Sequence, residues 1–229
     1  MIYPKITLAF NSKDFYVISR IPDKLEIGQF YKVKGKKAYT YRISNLIYLF
    51  KILIINGYIR TPKIYKLNKL IDYLNNKGYD INKYPLDLTL LNSNAWLSRF
   101  IEAVGHFSVR VSTDKKKHVK KIACSLEITP SQRMIDLDGN NNFNVLSKIG
   151  KYWHSQVTET KAKSKNPQQR IRTTSLAVNI ILIFYLLKYP LFSSKYLDYK
   201  DWMEGLNYFE NKEHRNKYNE IIQMKSYMN

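Results

Sequence analysis

The chain has 229 residues and a formal charge of +20, because 38 Lys and Arg residues outnumber 18 Asp and Glu residues. An apolar fraction of 45% suffices for a packed core and excludes a disordered basic tail, and a single cysteine excludes an internal disulfide framework and a cysteine-based zinc site. The charge favours a polyanionic partner such as a nucleic acid.

Lys, Ile, Asn and Tyr are abundant whereas Gly and Arg are scarce, which is the bias of A/T-rich codons. The first fifteen residues resemble neither a secretory signal nor an Arg-rich transit peptide. We therefore predict a protein made inside mitochondria and encoded there. The longest apolar run, Leu176–Leu187, is much shorter than the roughly 20 residues that a membrane span needs, so we expect no membrane contact.

Apolar periodicity in the first half predicts an α+β arrangement. The predicted strands cover residues 5–10, 28–34 and 37–43, with a helix over 12–20. A buried helix is predicted over Leu46–Ile55. Another begins at Thr61-Pro62, since threonine can cap a helix and proline fits its first position, and ends near Asn76. Residues 78–92 show little periodicity and are predicted to be a linker.

The second half continues with the same kinds of element. A helix capped by Ser93 or Asn94 is predicted to run through Val104, and strands over 105–112 and 119–129 flank the basic loop Asp114–Lys117. Further predictions are helices over 144–153, 176–188, 195–209 and 213–228 and strands over 154–161 and 168–174.

The two halves form an internal repeat. Arg42-Ile43-Ser44-Asn45-Leu46 corresponds to Arg172-Thr173-Thr174-Ser175-Leu176, and the strand at 5–10 corresponds to the one near 122–128. The helix and strand at 94–112 have no counterpart, which would precede Met1. We predict a truncated first repeat over 1–77, which lacks that helix and strand, a linker over 78–92, and a second repeat with C-terminal helices over 93–229.

The helix that opens the second repeat carries a recognisable motif. It reads Trp96-Leu97-Ser98-Arg99-Phe100-Ile101-Glu102-Ala103-Val104-Gly105-His106-Phe107, and positions 97–105 resemble the motif of LAGLIDADG homing endonucleases and intron maturases. Residues 56–63, 85–94 and 189–202 are similar to other stretches of the fungal mitochondrial double-motif members. The resemblance covers nearly the whole chain.

This resemblance implies two pseudo-symmetric αββαββα repeats whose antiparallel sheets form a saddle on a nucleic-acid groove. It also implies a metal-binding acid at the eighth motif position, where this chain has Val104, a residue without the oxygen that Mg²⁺ requires. Glu102 lies two positions earlier and faces another direction. Arg99 replaces a small residue where motif helices pack closely. Because the first motif helix is missing as well, we expect no catalytic residue, no metal, no cofactor and no enzyme activity.

Residues alternate along the strands, so each sheet should have one apolar and one basic face. In residues 28–34, Tyr31 and Val33 are assigned to the apolar face, opposite Lys32 and Lys34. A polar, basic face suits phosphates and base edges. The candidate nucleic-acid-binding residues are Lys32, Lys34, Lys36, Lys37, Thr40, Arg42, His106, Ser108, Arg110, Gln168, Arg170 and Arg172.

The partner that we favour is structured mitochondrial RNA, since proteins recognise RNA largely through shape and backbone. It could be a group I intron bound by a maturase, or ribosomal RNA in a ribonucleoprotein assembly with other proteins. The alternative is a homing endonuclease that cleaves or nicks double-stranded DNA, with the missing helix supplied by another segment.

Overall fold

A computed structural model describes residues 4–45, 48, 59–113, 119–130, 141–160, 163, 167–173, 175–213 and 216–228. Within it the chain divides into two compact units, Met1–Leu88 and Thr89–Asn229. Apart from Tyr48, the helix predicted over Leu46–Ile55 lies outside the described residues, as does the basic loop Asp114–Lys117.

The first unit contains an antiparallel sheet whose described strands have the order β1-β3-β2. Its strands are β1 (Ile6–Asn11), β2 (Gln29–Lys32) and β3 (Ala38–Ile43), and its helices are α1 (Phe15–Ile18), α2 (Ile21–Leu25) and α3 (Lys63–Asn75). Tyr41 and Ile43 of β3 are buried with Ile27 in a small apolar cluster.

The second unit contains an antiparallel sheet whose described strands have the order β4-β5-β7-β6. The strands are β4 (Gly105–Thr113), β5 (Val119–Ile128), β6 (Thr158–Thr160) and β7 (Gln168–Arg172). The helices are α4 (Trp96–Val104), α5 (Phe143–Tyr152), α6 (Leu176–Lys188), α7 (Lys195–Glu210) and α8 (Tyr218–Tyr227).

Strict alternation along β4 explains how this sheet packs. Gly105, Phe107 and Val109 are buried, whereas His106 and Arg110 at alternate positions are exposed. Helix α7 packs on β4 and β5 from the apolar side. The Phe107 and Trp202 ring centroids lie 5.5 Å apart, a separation at which aromatic rings attract one another. The strand thus turns one side to the core and the other to its polar face.

The order of the strands reproduces the repeat predicted from the sequence. In the second unit β5, β7 and β6 are successive neighbours, as β1, β3 and β2 are in the first. Arg42 on β3 pairs with Thr7, and Arg172 on β7 pairs with Glu127. β4 has no counterpart among the described residues of the first unit, so β1 lies at the edge of its sheet.

The structure corrects the predicted face of β2. Phe30 pairs with Tyr41 and packs on the apolar cluster, so Lys32, which pairs with Tyr39, lies on that same side of the sheet. Tyr31 pairs with Thr40 on the polar face. The prediction had the opposite parity, because it gave the inner face to Tyr31 and Val33 when the ring of Phe30 occupies it. A shift of one residue exchanges every side chain between the two faces.

Other elements are also shorter than predicted, among them the helix predicted over 213–228, which covers Tyr218–Tyr227. The helix predicted over 12–20 is divided into a 3-10 turn, Ser12–Asp14, and helix α1. The Asn11 side chain caps the 3-10 turn by accepting a hydrogen bond from the Lys13 backbone N–H at 3.1 Å. The strand predicted over 154–161 begins only at Thr158. His154 has a φ of 47°, a left-handed conformation that strands do not use.

The segment between α3 and the second unit is packed against α3. Tyr79, Ile81 and Tyr84 contact the buried Ile71 and Leu74 of that helix. Arg60 Nη2 and Asp87 Oδ2 form an ion pair of 2.8 Å in which both side chains are buried.

None of the helices within the described ranges has the length and apolar character that crossing a bilayer requires.

We predict that Gly150→Ala lowers the free energy of unfolding by about 1–3 kcal/mol, the usual cost of overpacking. A Cβ at Gly150 would lie 2.5 Å from the Ser155 backbone oxygen. Urea titration followed by Trp fluorescence measures this unit, since Trp96, Trp153 and Trp202 all belong to it. The matched control is Gly205→Ala in α7, where the nearest atom is the flexible Cε of Met224 at 3.0 Å. Equal losses for both variants would contradict the prediction.

Candidate nucleic-acid interface

Helix α4, which carries the motif, is anchored by its buried face. Leu97 and Ser98 are buried in the first turn, and Ile101 is buried one turn later. The cap position is held by Ala95 and not by Ser93 or Asn94 as predicted, although the Asn94 side chain accepts a hydrogen bond from the Trp96 N–H at 3.0 Å. Tyr185 of α6 accepts a hydrogen bond from the Ser98 N–H at 3.1 Å and donates one to the Asn94 carbonyl at 2.9 Å. These bonds fix where the helix begins relative to α6.

The acid at the sixth motif position, Glu102, binds the loop before α7. Its Oε1 accepts hydrogen bonds from the backbone N–H groups of Phe192 at 2.5 Å and Ser193 at 3.2 Å, and its Oε2 accepts one from the Ser193 hydroxyl. Lys195 donates from its Nζ to the Gly105 carbonyl at the end of the motif. Charged hydrogen bonds of this kind are about twice as strong as neutral ones. Glu102 therefore has a structural role, and it is not available as a metal ligand.

Arg99, at the third motif position, contacts the same loop. Its Nη1 donates to the Pro190 carbonyl at 3.3 Å, and its guanidinium lies 4.6 Å from the ring centroid of Phe192. Cation–π contacts at this distance are favourable. The large residue at this position thus packs against the loop that Glu102 holds.

The eighth motif position does not fit a divalent metal. Val104 is partly buried and packs against the apolar core of the second unit. Mg²⁺ needs oxygen ligands, which a valine side chain lacks. Across the described ranges, no three His, Cys, Asp or Glu side chains come together in a way that could hold a metal ion. The residues that this chain contributes here therefore do not form a metal site.

The polar face of the second sheet brings three predicted residues together. Arg110 comes from β4, and Arg170 and Arg172 come from β7. Arg172 donates from Nε to the Ser125 hydroxyl at 2.9 Å. Arg170 Nη1 lies 3.3 Å from Glu127 Oε2, and Arg110 Nη2 lies 3.9 Å from the same oxygen. We call Arg110, Arg170, Arg172 and Glu127 the arginine cluster.

The arginine cluster concentrates positive charge at a partly buried position. Burial lowers the pKa of the Arg172 guanidinium, and the charge of Arg110 lowers it further, followed by that of Arg170. Glu127 opposes this effect and raises the pKa. The cluster therefore favours the approach of a further anion.

The polar face of the first sheet combines an aromatic ring with an arginine. Arg42 lies with its guanidinium 4.7 Å from the ring centroid of Tyr31, and the Tyr31 hydroxyl donates to Gln29 Oε1 at 3.0 Å. These side chains line a cavity of about 440 Å³ that also includes Asp23 and Glu26. Neither Tyr31 nor Gln29 is among the predicted residues, because the parity of β2 was assigned wrongly.

The remaining predicted residues fall into three groups. Thr40 lies on the polar face of the first sheet. Lys34, Lys36 and Lys37 are exposed in the β2–β3 turn, which a hydrogen bond of 3.1 Å from Lys36 N to the Val33 carbonyl closes. In the second sheet, His106 pairs with Glu127, Ser108 pairs with Ser125, and Gln168 pairs with Thr160.

Sequence reasoning missed Glu127, although a signal was present. Leu126 and Ile128 on either side of it are apolar and fully buried. Alternation along β5 alone would have placed Glu127 on the polar face of the sheet.

Residues 97–206 match the family described as LAGLIDADG endonuclease. The chain is 25% identical to the Intron-encoded DNA endonuclease aI3 of Saccharomyces cerevisiae over 233 residues, which cover 87% of this chain and 55% of the relative. It is 37% identical to the Probable intron-encoded DNA endonuclease aI1 of Mycosarcoma maydis over 76 residues, which cover 33% of this chain and 63% of the relative. The chain thus spans about half to two thirds of the length of these curated relatives.

Solved structures show the same fold. The LAGLIDADG meganuclease I-CpaMI bound to uncleaved DNA has a TM-score of 0.74 at 17% identity, and the match covers 99% of this chain and 88% of that one. The I-SmaMI LAGLIDADG homing endonuclease bound to cleaved DNA has a TM-score of 0.76 at 20% identity, with 98% and 86% covered. These matches confirm the predicted resemblance and the α+β fold class.

The expectation that this chain is not an enzyme is wrong. It rested on the residues of one motif, Val104 and Arg99, and on the missing first motif helix. The curated relatives are named DNA endonucleases, and the solved structures that share the fold are meganucleases. Val104 and Arg99 describe only what the motif helix α4 contributes, and not the activity of a protein of which this helix is one part.

We predict that Glu102→Gln lowers the free energy of unfolding by about 1–3 kcal/mol, since it removes the charge that strengthens the hydrogen bonds from Phe192 and Ser193 and replaces one acceptor oxygen by an NH₂ donor. Urea titration followed by Trp fluorescence provides the measurement. The matched control is Glu204→Gln, an exposed position on α7 whose carboxylate accepts from the Tyr208 hydroxyl at 2.7 Å. We expect a change below about 0.5 kcal/mol there, as for most surface substitutions. A stable Glu102→Gln variant would show that the loop before α7 is held by other contacts.

Proposed function

We propose that this chain, which contains a LAGLIDADG endonuclease domain over residues 97–206, binds double-stranded DNA as part of an intron-encoded DNA endonuclease. The observation that carries the proposal is the arginine cluster on the polar face of the second sheet. β4, which contributes Arg110, continues directly from the motif helix.

The polar faces of the two sheets are suited to a duplex. Arginine is the side chain most used for bidentate contact with guanine edges and with phosphates. Arg42 and Gln29, which are direct partners across β2 and β3, offer a second group of donors in the first unit. Both units therefore contribute side chains of the kind that position and read DNA.

Strand cleavage requires groups that helix α4 does not contribute, because Val104 provides no ligand for a metal. We propose that a helix and strand equivalent to α4 and β4 complete the first unit and bring a carboxylate with them. They could belong to a longer form of this polypeptide or to a separate chain.

The exposure of Leu8 supports this completion. Leu8 pairs with Tyr41, one residue before Arg42, and Ile128 pairs with Ile171, one residue before Arg172. The two residues are thus equivalent in the repeat, but Leu8 is 46% exposed and Ile128 is fully buried. Ile128 lies beside Gly105 of β4 and in the same core cluster as Leu97 and Ile101 of α4. An added helix and strand would cover Leu8 in the same manner.

Structured RNA, the partner favoured from the sequence, stays a prediction, and so does membership of a ribonucleoprotein assembly. Both curated relatives carry the name intron-encoded DNA endonuclease, which favours DNA as the partner proposed for this chain. We also propose a mitochondrial origin, on the basis of the A/T-rich residue bias.

We predict that duplex DNA binds more tightly than a structured RNA hairpin of equal length, and that affinity falls steeply with salt. Each neutralised phosphate contributes about 0.9 to the slope of log affinity against log salt. Arg170→Ala with Arg172→Ala should make that slope shallower by up to about two units. Fluorescence anisotropy with labelled duplex and unlabelled competitors measures both quantities.

The control for this experiment is Lys148→Ala with Lys151→Ala, which removes the same charge from exposed positions on α5. If both double variants change the slope equally, the sheet is not the contact face. If the RNA hairpin displaces the duplex, RNA is the preferred partner and the proposal of a DNA endonuclease fails.

We predict that adding a second copy of residues 94–113 before the chain protects β1. Hydrogen exchange of the β1 amides should slow by roughly tenfold or more, because a new neighbouring strand closes the open edge. The control carries Val109→Pro and Val111→Pro in the added copy only, since proline cannot pair in a sheet interior. Equal exchange in both proteins would show that β1 does not accept such a strand.

A further inference from the structure

Glu127 is an acidic residue placed among arginines on a face that otherwise favours anions. Its Oε2 lies 3.3 Å from Arg170 Nη1 and 3.9 Å from Arg110 Nη2, and its side chain is 22% exposed. Its Oε1 accepts a hydrogen bond from the Thr129 hydroxyl at 3.3 Å. The carboxylate is therefore oriented, with one oxygen directed to the arginines.

The packing of β5 determines the face of the sheet on which Glu127 lies. Its neighbours Leu126 and Ile128 are fully buried in the core, so the side chain between them must point to the polar face. On that face it is the direct partner of His106 on one side and of Arg172 on the other. It thus lies at the centre of the arginine cluster.

An acid at this place has a clear electrostatic effect. Three guanidinium groups on one face repel one another, and a neighbouring carboxylate offsets that repulsion. A DNA phosphate would offset it equally well, so Glu127 and phosphate compete for the same arginines. Each arginine held by Glu127 must exchange one anionic partner for another when it binds a phosphate.

We propose that Glu127 is an internal counter-ion that positions Arg110 and Arg170 and suppresses sequence-independent binding to phosphate. This inference rests on the proposed DNA-binding function. Sequence-independent affinity comes almost entirely from phosphate contacts, whereas base edges are read by side chains in fixed orientations. A residue that weakens phosphate binding and fixes the side chains that read base edges raises the ratio of specific to sequence-independent affinity. It does so without contacting DNA itself.

The test compares Glu127→Gln with Glu159→Gln. Both substitutions remove one negative charge from the second sheet, but Glu159 lies exposed on β6 opposite Gln169, whereas Glu127 lies within the arginine cluster. The probes are a random-sequence 30-base-pair duplex, with affinity measured against salt, and a heparin column, with the eluting salt concentration measured. Circular dichroism confirms that both variants are folded.

We expect Glu127→Gln to bind the random duplex on the order of tenfold more tightly than Glu159→Gln at low salt. Its salt slope should be steeper by up to about two units, because two arginines become available to phosphates. It should also elute from heparin at higher salt than Glu159→Gln. In the background of Arg110→Gln the difference between the two variants should shrink, since one of the released arginines is gone.

Equal behaviour of Glu127→Gln and Glu159→Gln would overturn the proposal, as would weaker binding by Glu127→Gln. An undiminished difference in the Arg110→Gln background would also overturn it, because Glu127 would then not act through that arginine. If the unaltered chain fails to bind duplex DNA, the proposed function fails, and the heparin comparison alone still decides whether Glu127 is a counter-ion.

Discussion

Helix α7 covers the apolar face of β4 and β5, and this packing determines which side chains the other face presents. Phe107, Leu126 and Trp202 meet in the buried layer, and Arg110 and Glu127 stand on the opposite side of the same strands. Because side chains alternate along a strand, a shift of one residue would bring charged groups into the core at a cost of several kcal/mol each. The arrangement of the arginine cluster is therefore a consequence of core packing.

The packing of the motif helix and β4 also explains why the two units differ in the exposure of equivalent residues. Both use three strands in equivalent order, but among the described residues only the second has β4 and the motif helix before them. These additions bury Ile128, whereas Leu8 at the equivalent position is 46% exposed. A sheet whose described strands leave one edge unpaired is suited to accept further polypeptide.

Much of the fold was predictable from the sequence, and the failures have identifiable causes. Helix α6 over Leu176–Lys188 and strand β4 followed from long apolar runs and strict alternation, signals that do not depend on the rest of the molecule. The face of Lys32 was wrong because β2 is only four residues long, and so short a pattern allows either parity. Of the candidate site, Arg110, Arg170 and Arg172 were predicted to share a function and do lie together. Their dependence on Glu127 could not be predicted, because the pairing of β5 with β7 joins residues 43 positions apart.

The sixth and eighth positions of the motif have different structural roles in this chain. Glu102 at the sixth position holds the loop before α7, so a substitution that removes these hydrogen bonds lowers the stability of the fold and the amount of folded protein. Val104 at the eighth position contributes only apolar packing against the core. A carboxylate at that position would replace apolar contacts and partly bury a charge, but it would leave the hydrogen bonds of Glu102 in place. The residue that decides whether this motif can bind a metal is thus separate from the residue that holds the loop before α7.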